Sequence, residues 1–177
     1  VEPRPVLNLT QKEISSAETN WGEKLPKAKR LIIAPGGGFP EKCWGDQNYS
    51  ELTSLLLKNK NYQICILGAA ADKNRIVIHG DYDALNLCGQ LSLRESAAMV
   101  STADFIVTNT SLSMHLAGAF KIPSLTLLGD YYSSAELHHK QWGYPEGIIL
   151  GKEKSKRTFS IASVGKAYTG IISLLDT

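Results

Sequence analysis

The chain has 177 residues, of which 43% are hydrophobic and 20% are charged, and its formal net charge at pH 7 is +2. This length and composition fit one globular domain with a core of ordinary size. The small net charge and the scattered Lys and Arg residues argue against a nucleic-acid-binding protein. No apolar run approaches the roughly 18 residues that a membrane-spanning helix needs, so no transmembrane segment is predicted.

The cysteine and histidine pattern gives no sign of a metal site. Cys43, Cys65 and Cys88 form no CxxC pair and lie in or beside apolar segments. We therefore expect reduced thiols in or near the core, which favours a reducing cytosol. The chain also has no HxxxH or HExxH motif and no cluster of Cys and His, so we predict neither a bound metal nor a metal cofactor.

Short apolar runs alternate with helical patterns along the chain. After an extended start, Thr10 and Glu13 form the signature of a capping box at the beginning of a first helix. The predicted strands are residues 31–34, 63–67, 85–87, 104–107, 123–128 and 148–150. The later predicted helices are residues 46–59, a helix capped by Ser92, residues 111–120 and residues 161–175. Unbroken apolar strands that alternate with helices predict an α/β fold, a parallel sheet with helices on both faces.

The polar turn at residues 108–111 is the most informative segment. It follows a predicted buried strand and precedes a helical pattern, so it lies at the carboxyl end of a strand, where open α/β sheets bind ligands. With Thr110 as the N-cap, the backbone N–H groups of Leu112 and Ser113 would point outward at the positive end of the helix dipole. This arrangement suits a phosphate.

Two other strand ends carry residues suited to a ligand. Gly36-Gly37-Gly38 fit neither a P-loop nor a GxGxxG motif, so they predict a turn that a ligand or another backbone segment can approach closely. Lys42 supplies a candidate positive charge for a phosphate. Asp72 follows the second long strand, where a carboxylate commonly binds ribose hydroxyls but can also serve as a helix N-cap without any ligand.

The histidines give weaker signals. His115 lies inside the helix after the polar turn, and no Asp or Glu four residues away orients it, so a partly buried structural role competes with a catalytic one. His138 and His139 are adjacent and point in different directions on a helix, and we interpret them as surface residues. No catalytic residue is assigned within this chain.

Several of these motifs resemble one family in order and spacing. They are Pro35-Gly36, Lys42-x-Trp44, Tyr49-Ser50-Glu51-Leu52, Gly68, Asp72, Asn86-Leu87-Cys88-Gly89, Thr108-Asn109 and Met114-His115-Leu116-Ala117. Over residues 31–129 the chain resembles the C-terminal half of a lipopolysaccharide heptosyltransferase of glycosyltransferase family nine. The resemblance implies a GT-B architecture, in which two Rossmann-like domains face each other and the C-terminal domain binds the nucleotide-sugar donor.

The resemblance also implies roles for individual residues. Lys42 matches a lysine near the donor diphosphate, and Asp72 matches an acidic position associated with the nucleoside ribose. Ser111 and His115 match the phosphate-side turn and helix. A helix N-terminus and a lysine would stabilise the departing nucleoside diphosphate without a metal. The predicted substrate-binding residues are Gly36, Gly37, Lys42, Asp72, Thr110, Ser111, Leu112 and His115.

One departure from the family pattern keeps open an alternative to the heptosyltransferase. The family usually has Asp-Ser/Thr-Gly in the turn, whereas this chain has Thr110-Ser111-Leu112. The turn therefore lacks a carboxylate and the glycine that lets backbone approach the phosphates. This departure motivates the alternative of a degenerate, non-catalytic module of the same fold. A further alternative, independent of the turn, is an epimerase-like domain of the same fold that also binds a nucleotide sugar but needs acidic and histidine groups across a cleft.

The resemblance places the acceptor site in an N-terminal domain that is missing from this chain. Residues 1–30 are predicted to be an N-terminal arm or interdomain connection, and residues 31–177 the donor-binding domain. The implied reaction transfers a sugar from a nucleotide-sugar donor, such as ADP-heptose, to lipopolysaccharide or another cell-surface glycan. We expect the isolated domain to be inactive in transfer. We also expect a cytoplasmic protein that is at most peripheral at the inner face of the inner membrane.

Overall fold

A computed structural model describes residues 3–23, 28–152 and 161–175 of the chain. Within these ranges six strands form one sheet, flanked by six helices. The strands are β1 (Lys29–Ala34), β2 (Tyr62–Ile66), β3 (Leu85–Asn86), β4 (Phe105–Thr108), β5 (Ser124–Leu127) and β6 (Gly147–Leu150). The helices are α1 (Gln11–Trp21), α2 (Asp46–Leu57), α3 (Leu93–Ser101), α4 (Leu112–Phe120), α5 (Ala135–Trp142) and α6 (Val164–Leu175). Short 3₁₀ turns at Pro40–Lys42 and Ala70–Asp72 follow β1 and β2.

All neighbouring strands pair in parallel, in the order β3-β2-β1-β4-β5-β6. This order confirms the predicted Rossmann-like α/β fold. The chain order reverses between the central strands β1 and β4, whose register pairs Ala34 with Thr108 at their carboxyl ends. Segments that leave the sheet there diverge, and the crevice between them is the usual ligand site of such folds.

Helices cover both faces of the sheet, as the apolar runs predict. On one face Leu31 and Ile33 pack in a cluster with residues of α2 and α6. On the other face Ile32 and Ala34 pack with residues of α1, α3 and α4. Successive side chains of a strand point to opposite faces, so a strand that is apolar at every position is buried on both sides.

The N-terminal segment packs onto this fold. Thr10 and Glu13 form the predicted capping box of α1, and the indole of the buried Trp21 donates a hydrogen bond of 3.0 Å to the Thr102 hydroxyl. Arg94 of α3 pairs with Glu13. Helix α1 therefore contributes to the core beside α3, and the division of the chain at residue 30 stays a prediction.

The cysteines behave as expected from the sequence. Cys43, Cys65 and Cys88 are buried and free of disulfide bonds. Burial raises the pKa of Cys65 to about 12 and, with a contribution from Asp72, the pKa of Cys88 to about 11. Both thiols therefore stay protonated at neutral pH, and thiols in that state are poor nucleophiles and metal ligands. Within the described ranges, no helix is long and apolar enough to cross a membrane.

Candidate functional site

A cavity of about 410 Å³ opens beyond the carboxyl ends of β1 and β2. Its volume lies in the usual range of small-molecule sites, roughly 300–1,000 Å³. Loops after both strands line it, together with the beginnings of α3 and α4. The predicted substrate-binding residues that line it are Gly36, Gly37, Asp72, Ser111 and Leu112. The structure thus gathers residues from three separate segments around one space.

Asp72 brings a negative charge to this cavity. Its carboxylate accepts hydrogen bonds from the Ala69 N–H at 2.9 Å and from the Arg75 guanidinium at 3.1 Å. The residue closes the 3₁₀ turn rather than opening it, so the alternative role as a helix N-cap is wrong. A carboxylate oxygen accepts more than one hydrogen bond, so Asp72 keeps capacity for the hydroxyl groups of a ligand.

Glycines are required where the cavity wall is tightest. A Cβ atom at Gly36 would lie 2.6 Å from Oδ2 of Asp72, and one at Gly68 would lie 2.7 Å from the same oxygen. A Cβ at Gly37 would lie 2.7 Å from Sγ of Cys43. These glycines therefore let the Asp72 carboxylate and the Cys43 thiol approach the backbone. The sequence predicted only that a ligand or another backbone segment can approach the glycine turn closely, whereas in the structure two side chains do so.

The positive end of α4 borders the same cavity. The helix begins at Leu112, and its N-cap is Ser111, whose hydroxyl accepts the Ser113 N–H at 3.3 Å. The predicted N-cap, Thr110, is therefore wrong by one residue. Among the described residues, the N–H groups of Thr110, Ser111 and Leu112 have no hydrogen-bond partner. Unpaired donors at a helix N-terminus suit an anion.

Asn109, which sequence reasoning did not select as a site residue, fixes the loops around the cavity. The residue is 1% exposed, and its Oδ1 accepts the Trp44 N–H at 3.0 Å and the Tyr49 hydroxyl at 3.1 Å. Its Nδ2 donates to the carbonyls of Pro35 at 2.7 Å and Gly36 at 3.3 Å. One side chain thus joins the end of β4 to the segments that follow β1. The available signal was an amide directly after an apolar strand, since buried amides need partners.

Thr110 turns away from the cavity toward α5. Its Oγ1 lies 2.9 Å from Nε2 of His138, which is 8% exposed. The expectation that His138 is a surface residue is therefore wrong, whereas His139 is exposed as expected. Burial, together with the neighbouring imidazoles of His115 and His139, lowers the pKa of His138. The neutral imidazole is consequently the favoured form near neutral pH.

His115 also faces away from this cavity. Its Nδ1 lies 2.8 Å from the Tyr144 hydroxyl, and its ring meets Trp142 edge to face. These side chains border a second cavity of about 570 Å³, which is lined mainly by the end of α5 and the segment that follows it. Burial lowers the pKa of His115. The tyrosine supplies the orienting partner that the sequence did not reveal, and a role for His115 in ligand binding stays a prediction.

Lys42 stands at the rim, outside the cavity lining. Its ammonium lies 5.2 Å from the centre of the Phe39 ring and 5.0 Å from the centre of the Tyr131 ring. Both distances fall within the range of cation–π attraction. Gly37, which lines the cavity, lies two residues before Phe39 in the same loop, so Lys42 belongs to the segment that leaves the cavity wall. The role of Lys42 toward a phosphate stays a prediction.

The site therefore combines three kinds of chemistry in one place. The apolar side chains of Leu67, Leu91 and Leu116 offer a wall for a flat ring. Asp72 accepts hydrogen bonds, and the N-terminus of α4 attracts negative charge. Across the described part of the chain, no group of three or more His, Cys, Asp or Glu side chains is placed to hold a metal ion.

Comparison with known proteins gives a consistent match. The family model for glycosyltransferase family 9 (heptosyltransferase) matches residues 1–169. Lipopolysaccharide heptosyltransferase 2 of Salmonella typhimurium is 34% identical over 139 residues, which cover 72% of this chain and 39% of that protein. The chain therefore spans about two fifths of the length of this curated relative.

Solved structures share the fold. The ADP-heptose LPS heptosyltransferase II of Escherichia coli matches with a TM-score of 0.76 at 21% identity, over 98% of this chain and 55% of that one. Another Escherichia coli heptosyltransferase, solved with ADP, matches with a TM-score of 0.61 at 13% identity, over 91% of this chain and 48% of that one. At these identities the likeness concerns the fold, whereas the family model covers nearly the whole sequence. The chain belongs to glycosyltransferase family 9, the heptosyltransferase family.

Proposed function

We propose that this chain is the donor-binding domain of a heptosyltransferase-like glycosyltransferase. The observation that carries the proposal is the cavity beyond β1 and β2, where the Asp72 carboxylate and the N-terminus of α4 border one space of about 410 Å³. Family membership supports a nucleotide-sugar ligand. The cavity also reaches the switch of strand order between β1 and β4, since Gly36 and Ser111 both line it, and α/β folds bind nucleotides at such a switch.

The chemistry of the lining suggests how a nucleoside diphosphate would lie. Its base would pack on the apolar wall of Leu67, Leu91 and Leu116, and its ribose hydroxyls would donate to Asp72. Its phosphates would then meet the unpaired N–H groups at the start of α4. Adenine is the base to try first, because a fold relative was solved with ADP.

In the proposed transfer, an acceptor hydroxyl attacks the anomeric carbon of the sugar. The bond from that carbon to the diphosphate oxygen breaks, and the nucleoside diphosphate leaves with the bonding electrons. Donors fixed where this negative charge grows lower the barrier. The start of α4 and Lys42 would stabilise this negative charge. The base that takes the proton of the acceptor hydroxyl would come from the acceptor domain outside this chain. The acceptor we propose is lipopolysaccharide or another cell-surface glycan, and we propose that the isolated chain is inactive in transfer.

Calorimetric titration with ADP, UDP and GDP tests the proposal. We expect one of the three to bind, and we expect Asp72→Asn and Lys42→Ala to weaken its affinity about tenfold, the effect of losing a charged hydrogen-bonding partner. Asp46→Asn is the matched control, since Asp46 pairs with the same Arg75 at 2.7 Å but lies outside the cavity lining.

Two results would contradict the proposal. A folded chain that binds none of the three nucleotides would favour the degenerate module of the same fold. Equal loss of affinity in Asp72→Asn and Asp46→Asn would mean that Arg75 and its loops, rather than a carboxylate in the cavity, account for the effect. Circular dichroism of each variant establishes that it is folded.

A further inference from the structure

Large apolar side chains are exposed along the carboxyl edge of the sheet. Leu93 and Leu112 are 65% and 51% exposed and line the cavity. Phe39 and Tyr131 are 60% and 66% exposed and lie beyond it, on the loops that follow β1 and β5. Exposed apolar groups that adjoin a cavity and surround a cation, as Phe39 and Tyr131 surround Lys42, mark a contact surface for a ligand. We name Phe39, Lys42 and Tyr131 the aromatic rim.

The backbone holds the aromatic rim together. The Lys42 carbonyl accepts the Gly129 N–H at 3.2 Å, and the Glu41 carbonyl accepts the Tyr131 N–H at 3.0 Å. A Cβ at Gly129 would lie 2.7 Å from the carbonyl carbon of Lys42, so the two loops meet in this way because residue 129 is glycine. Main-chain contacts therefore hold the loop that carries Phe39 and Lys42 against the loop that carries Tyr131 before any ligand arrives, which lowers the entropy cost of bringing the two loops together.

The strand order places the aromatic rim beside the start of α4, where the diphosphate is proposed to bind. The cavity lies over β1 and β2, α4 begins after β4, and the rim follows β1 and β5. A ligand whose nucleoside fills the cavity and whose diphosphate meets α4 directs its next group toward β5. In a nucleoside diphosphate sugar that next group is the glycosyl ring.

The chemistry of the aromatic rim fits such a ring. A pyranose presents polarised C–H bonds on its faces and hydroxyl groups around its edge. Aromatic faces carry negative partial charge and attract C–H donors, and a lysine ammonium donates to hydroxyl or phosphate oxygens. We propose that Phe39, Lys42 and Tyr131 form the subsite for the glycosyl ring of the donor, with the two aromatic rings contacting its C–H face. This inference rests on the proposed function, because it requires the nucleoside diphosphate to bind first.

The test compares each nucleoside diphosphate with its glucose conjugate. The chain is titrated with ADP, UDP and GDP and with ADP-glucose, UDP-glucose and GDP-glucose. We expect the conjugate of the bound nucleotide to bind about fivefold tighter than the nucleotide itself. Combined Phe39→Leu and Tyr131→Leu substitutions remove this difference, whereas Tyr131→Phe keeps it, since the aromatic face remains. Trp142→Leu, which removes an exposed ring at the second cavity, is the matched control and keeps the difference.

A second readout reports contact directly. In saturation-transfer NMR, the aromatic protons of the protein are irradiated. The saturation should pass to the C–H protons of the glucose ring in the wild-type chain and not in the doubly substituted one. A conjugate that binds no tighter than its nucleotide, or a difference that survives the double substitution, overturns this inference and leaves the proposed function standing. A folded chain that binds no nucleotide overturns the proposed function and the inference together.

Discussion

The two sides of the segment that leads into α4 have opposite characters. On the cavity side, the N–H of Leu112 has no partner among the described residues and borders an open space. On the α5 side, Thr110 and His115 are hydrogen-bonded to His138 and Tyr144. Residues that are neighbours in sequence thus divide between a side with an unpaired backbone donor and a side where the side chains of Thr110 and His115 already pair within the protein. The first side is suited to a ligand.

Removing the amide that holds this arrangement should have the largest effect. Asn109→Ala leaves the Trp44 N–H, the Tyr49 hydroxyl and the Pro35 carbonyl without their partner. Since each unsatisfied buried group costs about 1–3 kcal/mol, we expect the free energy of unfolding to fall by about 3 kcal/mol or more. Urea unfolding measures it. Asn48→Ala, which loses one bond of 2.8 Å to the Trp44 carbonyl, is the control and should cost about 1 kcal/mol. Equal losses of unfolding free energy in the two variants would contradict the conclusion that Asn109 holds several loops together.

Crowding the cavity wall should affect stability and binding together. A methyl group at Gly36 meets the Asp72 carboxylate, so Gly36→Ala should lower the free energy of unfolding by about 2 kcal/mol and weaken nucleotide affinity about tenfold. At Gly38 a Cβ atom meets nothing within 4 Å, so Gly38→Ala should change stability by less than about 0.5 kcal/mol. Urea unfolding measures the changes in stability, and calorimetry measures the change in nucleotide affinity. Tight nucleotide binding by Gly36→Ala would argue against Asp72 as a ligand contact.

Two serine caps separate a structural effect from a binding effect. Ser111 caps α4 at the cavity, and Ser134 caps α5 away from it by accepting the Leu137 N–H at 3.3 Å. Replacing either with Ala should cost about 1 kcal/mol of stability, the usual value of an N-cap. Only Ser111→Ala should also weaken nucleotide affinity, by about threefold, because it disturbs the donors at the start of α4. Equal affinities in the two variants would place the phosphate elsewhere.

Acid should destabilise the α5 side by a smaller amount. Burial lowers the pKa of His138 and of His115, so near pH 6 the unfolded chain binds more protons than the folded one. The stability that the neutral forms of these two histidines contribute is fully present above the ordinary histidine pKa of about 6.5, and it is lost as the pH falls below that value. Urea midpoints at about pH 7.5 and about pH 5.5 should differ less in His138→Gln than in the parent. Equal differences would show that His138 titrates as an exposed histidine.

The fold was predictable because its signals are local. Unbroken apolar runs mark the strands, and the pairs Thr10 with Glu13 and Ser92 with Glu95 mark two helix starts that the structure confirms. The start of α4 was harder, since Thr110 and Ser111 are both good caps. Moving the N-cap by one residue changes which backbone N–H groups are left without a partner at the helix start, and these are the donors that a ligand would meet.

The partners within the site were not predictable for a different reason. Asn109 contacts residues that are 60 to 74 positions away in sequence, and His138 meets Thr110 across 28 positions. Contacts of this range depend on how the helices and loops pack rather than on any local pattern. The sequence could therefore name the residues at the sheet edge but not the side of α4 to which each belongs.

The most direct test of the proposed donor site is a titration of the ¹⁵N-labelled chain with ADP, followed residue by residue by NMR. The proposed site predicts that the amide signals of Ala69, Leu112 and Ser113, beside the cavity, shift with added nucleotide, and that those of Trp142 and Tyr144 stay in place. Shifts concentrated at Trp142 and Tyr144, with none at the start of α4, would contradict it and move the donor site to the other side of the helix.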